Sequence, residues 1–288
     1  MDIIVKYGSK ARGDSDLLSD SDMLVIGKIP DELKTVNSAI VHYTKNRLEK
    51  LKTVESLFLI HLREEGLIIK DHNNWMKNFL KTIPDYAVND KSLKNALKNL
   101  SIILSIIPAA KGIACWYDIL FVFLRDLLIK LNSKSHKYIF TPNRLLESIE
   151  IKNKKQIQNI INISREIKSN YRNCIKQTVF IDPLKTSAIL IDSFNLENTF
   201  SNYSEIINNP LGYDPYLVLR LVEYGICTGS IKLIDENIIK YIKNPNRYSW
   251  DLKKIKWNDK IKFVEQQHEL GLGKAVPLRY ASLPSRLC

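Results

Sequence analysis

Apolar positions open the chain in two short runs, Ile3 to Val5 with Tyr7 and then Met23 to Ile26. Both are flanked by turn residues, so they read as strands of one sheet. A third run over 38–44, SAIVHYT, predicts the next strand, followed by a short helix over 45–51. The segment 56–66 predicts a helix closed by Gly66, and Leu67-Ile68-Ile69 before Lys70-Asp71 a last strand of the small sheet. From Trp75 onward apolar residues recur at three and four. That spacing predicts helices over 91–107, 113–131, 141–149, 154–181, 182–200, 215–227, 231–242 and 259–270, with Pro183 breaking the long run from 154 to 200.

The expected fold class is therefore α+β: a small mixed-sheet domain over 1–74, an all-helical domain over 75–270, and an extended tail over 271–288 carrying two glycines and two prolines. The longest apolar stretches, 100–110 and 113–124, are interrupted by Pro108 and Lys111 and closed by Arg125-Asp126. Neither reaches the roughly 18 to 20 residues of a membrane span, so both read as buried helices, with no membrane insertion.

Composition adds a polyanion signal. The 288 residues are 45% hydrophobic, enough to bury the core of one large or two ordinary domains. Lys and Arg number 43 against 31 Asp and Glu, a net charge of +12 and a pI near 9.3, which suits phosphate-bearing partners. Much of the surplus falls between Lys152 and Lys176 and between Lys240 and Lys262, the second interleaved with Tyr241, Tyr248, Trp250 and Trp257. Such interleaving fits single-stranded nucleic acid, and equally the solvated faces of helices whose tryptophans are core. A Lys- and Asn-rich composition is also what an AT-rich genome produces. Cys115, Cys174, Cys227 and Cys288 are scattered without metal-ligand spacing, which argues against zinc and a disulfide framework. The chain starts directly in a strand with no secretory leader pattern, so a cytoplasmic location is expected.

Candidate chemistry lies between the first two strands. Gly8 lets backbone approach a ligand closely, and Ser9 with the following N–H groups can hold phosphate oxygens, with Lys10 and Arg12 adding cationic contacts. Alternation along the second strand sends Asp20 and Asp22 to one face, where adjacent carboxylates call for a hard cation such as Mg²⁺. Together these suit phosphoryl or nucleotidyl transfer. The plainer alternative is a solvated Ser/Asp loop in which Asp20 caps a turn.

Gly8-Ser9, ten intervening residues, then Asp20-Ser21-Asp22 followed by Met23-Leu24-Val25 resembles the signature of the DNA polymerase β-like nucleotidyltransferase superfamily. The longer string GSKARGDSDLLSDSDMLV is similar to the bacterial minimal nucleotidyltransferase group within it, and LFLIHLREEGLIIKD resembles the segment that follows its metal-binding strands. The resemblance covers roughly the first 70 residues. It implies that Gly8 and Ser9 bind a nucleoside triphosphate, that Asp20 and Asp22 bind Mg²⁺ or Mn²⁺, and that an acceptor hydroxyl attacks the α-phosphorus to release pyrophosphate. It also implies a cation from the helical part contacting the triphosphate, with Lys98, Lys111, Arg125 and Lys130 as candidates. Arg125 stands foremost, because a charge in an apolar helix needs a partner or a ligand; its alternative is a salt bridge with Asp118 or Glu147. Relatives in anti-phage defence and toxin–antitoxin operons imply such a role and a partner protein from the same operon.

One departure stands out. Active members of the superfamily usually carry a third carboxylate on the next strand, and the strand here holds no acid: Ala39 lies about where one is expected. His42 is either a substitute base or a polar residue of an edge strand. His61, on an apolar face, is either a satisfied core residue or a ligand. Tyr280, Ser282 and Ser285 put hydroxyls on the tail, which either packs across the surface or supplies an acceptor. The positive charge favours template-independent synthesis of nucleic acid or oligonucleotide, with a single-stranded product. Single-nucleotide transfer to a protein, tRNA or antibiotic, and a catalytically silent binding module, are the other readings.

Overall fold

The structure, a computed structural model, describes residues 2–13, 22–30, 39–173, 175, 181–196, 202–243 and 252–264. The expected α+β layout holds: a four-stranded mixed sheet near the N-terminus is followed by helices. Strands β1 (Ile3–Tyr7), β2 (Asp22–Ile26), β3 (Ala39–Tyr43) and β4 (Leu67–Lys70) lie in the order β3-β2-β1-β4. β1 is antiparallel to both neighbours, and β2 and β3 run parallel. The chain packs as two compact units, one of 1–89 with 129–149 and one of 90–128 with 150–288.

In the first unit the central strand supplies the core: Ile3, Val5 and Tyr7 of β1 and Leu24 and Val25 of β2 are buried. Helix α1 (Ser9–Arg12) is a single turn between β1 and β2. Helix α2 (Lys45–Thr53) starts where Thr44 Oγ1 accepts the Arg47 N–H at 3.2 Å. Helix α3 (Leu57–Glu65) buries Leu59, Ile60 and Leu62. Gly66 does close it, but with φ −76° and not a left-handed cap; a side chain there would collide with the Leu62 carbonyl 2.3 Å away. Helix α4 (Trp75–Lys81), which the apolar spacing did not reveal, adds Met76, Phe79 and Leu80 to the core.

The second unit is built on α5 (Asp90–Leu104), α6 (Ile113–Lys134), α7 (Lys154–Arg172), α8 (Pro183–Phe194), α9 (Tyr203–Asn208) and α10 (Pro215–Thr228), with the last turns of α6 belonging to the first unit. Pro183 does break the preceding run: it takes the first turn of α8, with Asp182 accepting the Leu184 N–H at 2.9 Å. Three expected helices are corrected. Over 141–149 only a short turn of 3₁₀ helix forms at Pro142–Arg144, because the Leu145 carbonyl is taken at 2.8 Å by the Asn132 side chain. The segment 231–242 divides into strand β5 (Ile231–Leu233) and helix α11 (Ile238–Lys243), separated where Asp235 accepts the Asn237 N–H at 2.8 Å. The third, 259–270, begins as strand β6 (Ile261–Phe263), antiparallel to β5, and its remainder lies outside the described residues.

A charge network lies inside this unit. Asp118 on α6 and Arg220 and Glu223 on α10 are fully buried. Arg220 pairs with both acids, and Arg172 reaches the other Asp118 oxygen at 3.0 Å. Tyr171 donates to Glu223 at 3.3 Å. Burial alone would lower the Arg220 guanidinium, but Glu223 and Asp118 more than offset it and hold the arginine charged.

Candidate nucleotide site

The end of β1 and the start of β2 make a polar corner. Register sets Tyr7 opposite Asp22, so Gly8 turns away from the sheet directly beside the carboxylate. Gly8 has φ 78° and ψ −164°, a backbone region that is essentially glycine's alone. A Cβ there would also lie 3.1 Å from Asp22 Oδ2. Conformation thus requires glycine, and a side chain there would press on the carboxylate. The ladder of α1 begins with the Ala11 N–H on the Gly8 carbonyl at 3.0 Å, which leaves the Ser9 and Lys10 N–H groups ahead of it. Asp22 is half-exposed and Lys10 exposed. The Tyr7 phenol is raised above its ordinary value by burial and then by the nearby Asp22 charge. Asp20, the other expected metal ligand, lies outside the described residues.

Arg12 is not simply aimed at solvent. It pairs with Glu65 at the end of α3, and His61 Nε2 meets the same carboxylate oxygen at 2.8 Å. The His61 ring stacks on Phe140 with centroids 4.3 Å apart and meets the edge of Tyr7 at 5.5 Å. Burial would raise the Glu65 carboxyl, but the His61 hydrogen bond and the Arg12 charge outweigh it and hold Glu65 below its ordinary value. His61 is therefore a satisfied histidine in an aromatic and ionic setting. Glu65 is the residue that sequence reasoning missed. The only signal for it was its place in the LREEG segment, where two adjacent glutamates gave no means of choosing one.

The register between β2 and β3 is definite. Ala39 pairs with Asp22, and no acid lies along β3. His42 pairs with Val25, three positions further on, roughly 10 Å at the rise of a strand. Its Nε2 sits 2.6 Å from the Gly27 carbonyl, so His42 is an exposed residue of an edge strand and not a base beside Asp22.

Arg125 belongs to the second unit, half-buried on α6, whereas Gly8, Ser9 and Asp22 belong to the first. Of the two acids considered for it, Asp118 binds Arg172 and Arg220, and Glu147 accepts from Arg144 at 3.1 Å. Within the second basic segment Trp257 is buried and Lys240 lies over the Tyr241 ring at 5.1 Å. Tyr248, Trp250, Tyr280, Ser282 and Ser285 lie outside the described residues. Among the described residues no helix is long and apolar enough to cross a membrane. Comparisons with protein-family models, with curated proteins and with solved structures give no match to this chain.

Proposed function

We propose that the first unit is a Mg²⁺-dependent nucleotidyltransferase that makes nucleic acid or oligonucleotide without a template from nucleoside triphosphates, in bacterial anti-phage defence. The observation that carries this reading is the Asp22 carboxylate lying beside the Gly8 backbone, at the turn where Ser9 and Lys10 open helix α1. Oxygen-only donors suit a hard divalent ion. Asp20 and Asp22 would hold it, and when bound it neutralises phosphate charge and acidifies a coordinated hydroxyl. Gly8 and Ser9 cradle phosphate oxygens, and Lys10 adds positive charge. Arg12, oriented by Glu65, presents its guanidinium from the same turn. The acceptor hydroxyl attacks the α-phosphorus and pyrophosphate leaves. The net charge of +12 favours a polyanionic product over a small acceptor.

A second reading, nucleotide binding without turnover, is favoured by one observation: the residue across from Asp22 on β3 is Ala39. Incubating the protein with each labelled ribo- and deoxyribonucleoside triphosphate and Mg²⁺ or Mn²⁺ separates the readings. A product ladder supports polymerisation. A single adduct on protein, tRNA or antibiotic supports single transfer, and retention of triphosphate without any product supports the binding module.

A further inference from the structure

Within the second unit, the turn between α9 and α10, one face of α5 and the segment 252–257 line an open cavity of about 470 Å³, within the range of small-molecule sites. Its floor is apolar, with Val218, Leu252 and Trp257 all buried. Polar groups converge from one side. Asn95, Lys98 and Asn99 line it from a single face of α5. The buried Asn99 donates its amide to Asp214 Oδ2 at 3.3 Å, while Asp214 Oδ1 accepts the Tyr216 N–H at 2.8 Å, so the carboxylate is held from two sides. At the lip the Lys98 ammonium lies 4.3 Å from the centre of the Tyr213 ring.

We propose that this cavity binds a nucleobase bearing an exocyclic amino group, with the nucleotide's phosphate outward at Lys98. The apolar floor fits a planar ring, the two amides offer donors and acceptors to its edge, and the fixed carboxylate accepts from an amino group. An aliphatic ligand would desolvate Asn99 and Asp214 without replacing their water, and a polyphosphate would meet the Asp214 charge with Lys98 as the one cation among the described lining residues. Adenine, guanine and cytosine present an amino group where uracil presents only carbonyl oxygens and a ring N–H. This site is separate from the Gly8–Asp22 corner and does not rest on the reading given to that corner.

The test is calorimetric titration of the full chain with the 5′-monophosphates of adenosine, guanosine, cytidine and uridine, without divalent metal. The amino-bearing three bind saturably and uridine monophosphate roughly 10-fold more weakly. Asn95→Ala and Lys98→Ala each weaken binding roughly 5- to 10-fold with unchanged circular dichroism, and Asp22→Ala leaves it unaltered. Absence of saturable binding, equal affinity for uridine monophosphate, or wild-type affinity in Asn95→Ala would overturn the proposal. Loss of binding in Asp22→Ala would also overturn it, by moving the monophosphate to the N-terminal corner.

Discussion

At the start of β2, the Asp22 carboxylate lies half-exposed against the backbone of Gly8; inside the helical unit, the fully buried Asp118 carboxylate is held by two guanidinium groups. Each unit also holds a cluster of arginine and glutamate, and the two clusters are arranged differently. In the helical unit Arg220 and Arg172 match Asp118 and Glu223 charge for charge, with all but Arg172 fully buried. At the sheet corner Arg12 is held by Glu65, which His61 also contacts, and the face of Asp22 turned to Gly8 meets main chain and not a side chain. Compensated, enclosed charge specifies how helices assemble. At the corner a half-exposed carboxylate stands beside main chain that carries no side chain.

The sharpest way to break this contrast is Arg220→Ala. It takes from Asp118 and Glu223 the buried cation they share and should cost about 3–5 kcal/mol in urea unfolding, whereas replacing all three by apolar residues of similar size should recover most of the loss. A cost below about 1 kcal/mol would mean that the network is not structural. Gly8→Ala comes next: its backbone conformation alone costs of order 1–3 kcal/mol, and the new methyl presses on the carboxylate. Triphosphate affinity should fall with stability there, and a normal affinity would break the link between Gly8 and the ligand.

How much of this was legible beforehand differs by region. The strands around the corner were read to within a residue or two, because Ile3–Tyr7 and Asp22–Ile26 are apolar runs bounded by turn chemistry. The pairing of Ala39 with Asp22 is a register that the sequence left open. Strands β5 and β6 were misread as helix because Ile-Lys-Leu and Ile-Lys-Phe are three residues long, too short for period two to show against the flanking helical spacing. Arg220 and Glu223 escaped notice for another reason. Charges three apart on a helix usually mark its solvated face, and only the neighbouring helices reveal that this face is inside.

Two smaller effects sharpen the comparison. Because the folded Glu65 carboxyl lies below its ordinary value of 4.5, its contribution to stability is complete above that pH and is lost as pH falls through the lowered folded value. Wild type should therefore lose stability more steeply than Glu65→Gln below pH 4.5 in denaturant titrations, and parallel curves would show that the Arg12–Glu65–His61 set contributes nothing. His42→Ala should change nucleotide incorporation by less than about 2-fold, since losing its contact with the Gly27 carbonyl is worth about 1 kcal/mol of stability at most. A large loss of incorporation would restore His42 as the missing base.

The most direct measurement is metal-dependent binding of a non-hydrolysable nucleoside triphosphate analogue to wild type and to Asp22→Ala, with unfolding curves recorded on the same preparations. The Gly8–Asp22 corner as a nucleotide site predicts saturable, Mg²⁺-dependent binding that weakens by about 10²- to 10³-fold in the variant, while stability changes by less than about 1 kcal/mol. Equal affinity in the two proteins, or binding indifferent to the metal, would contradict it.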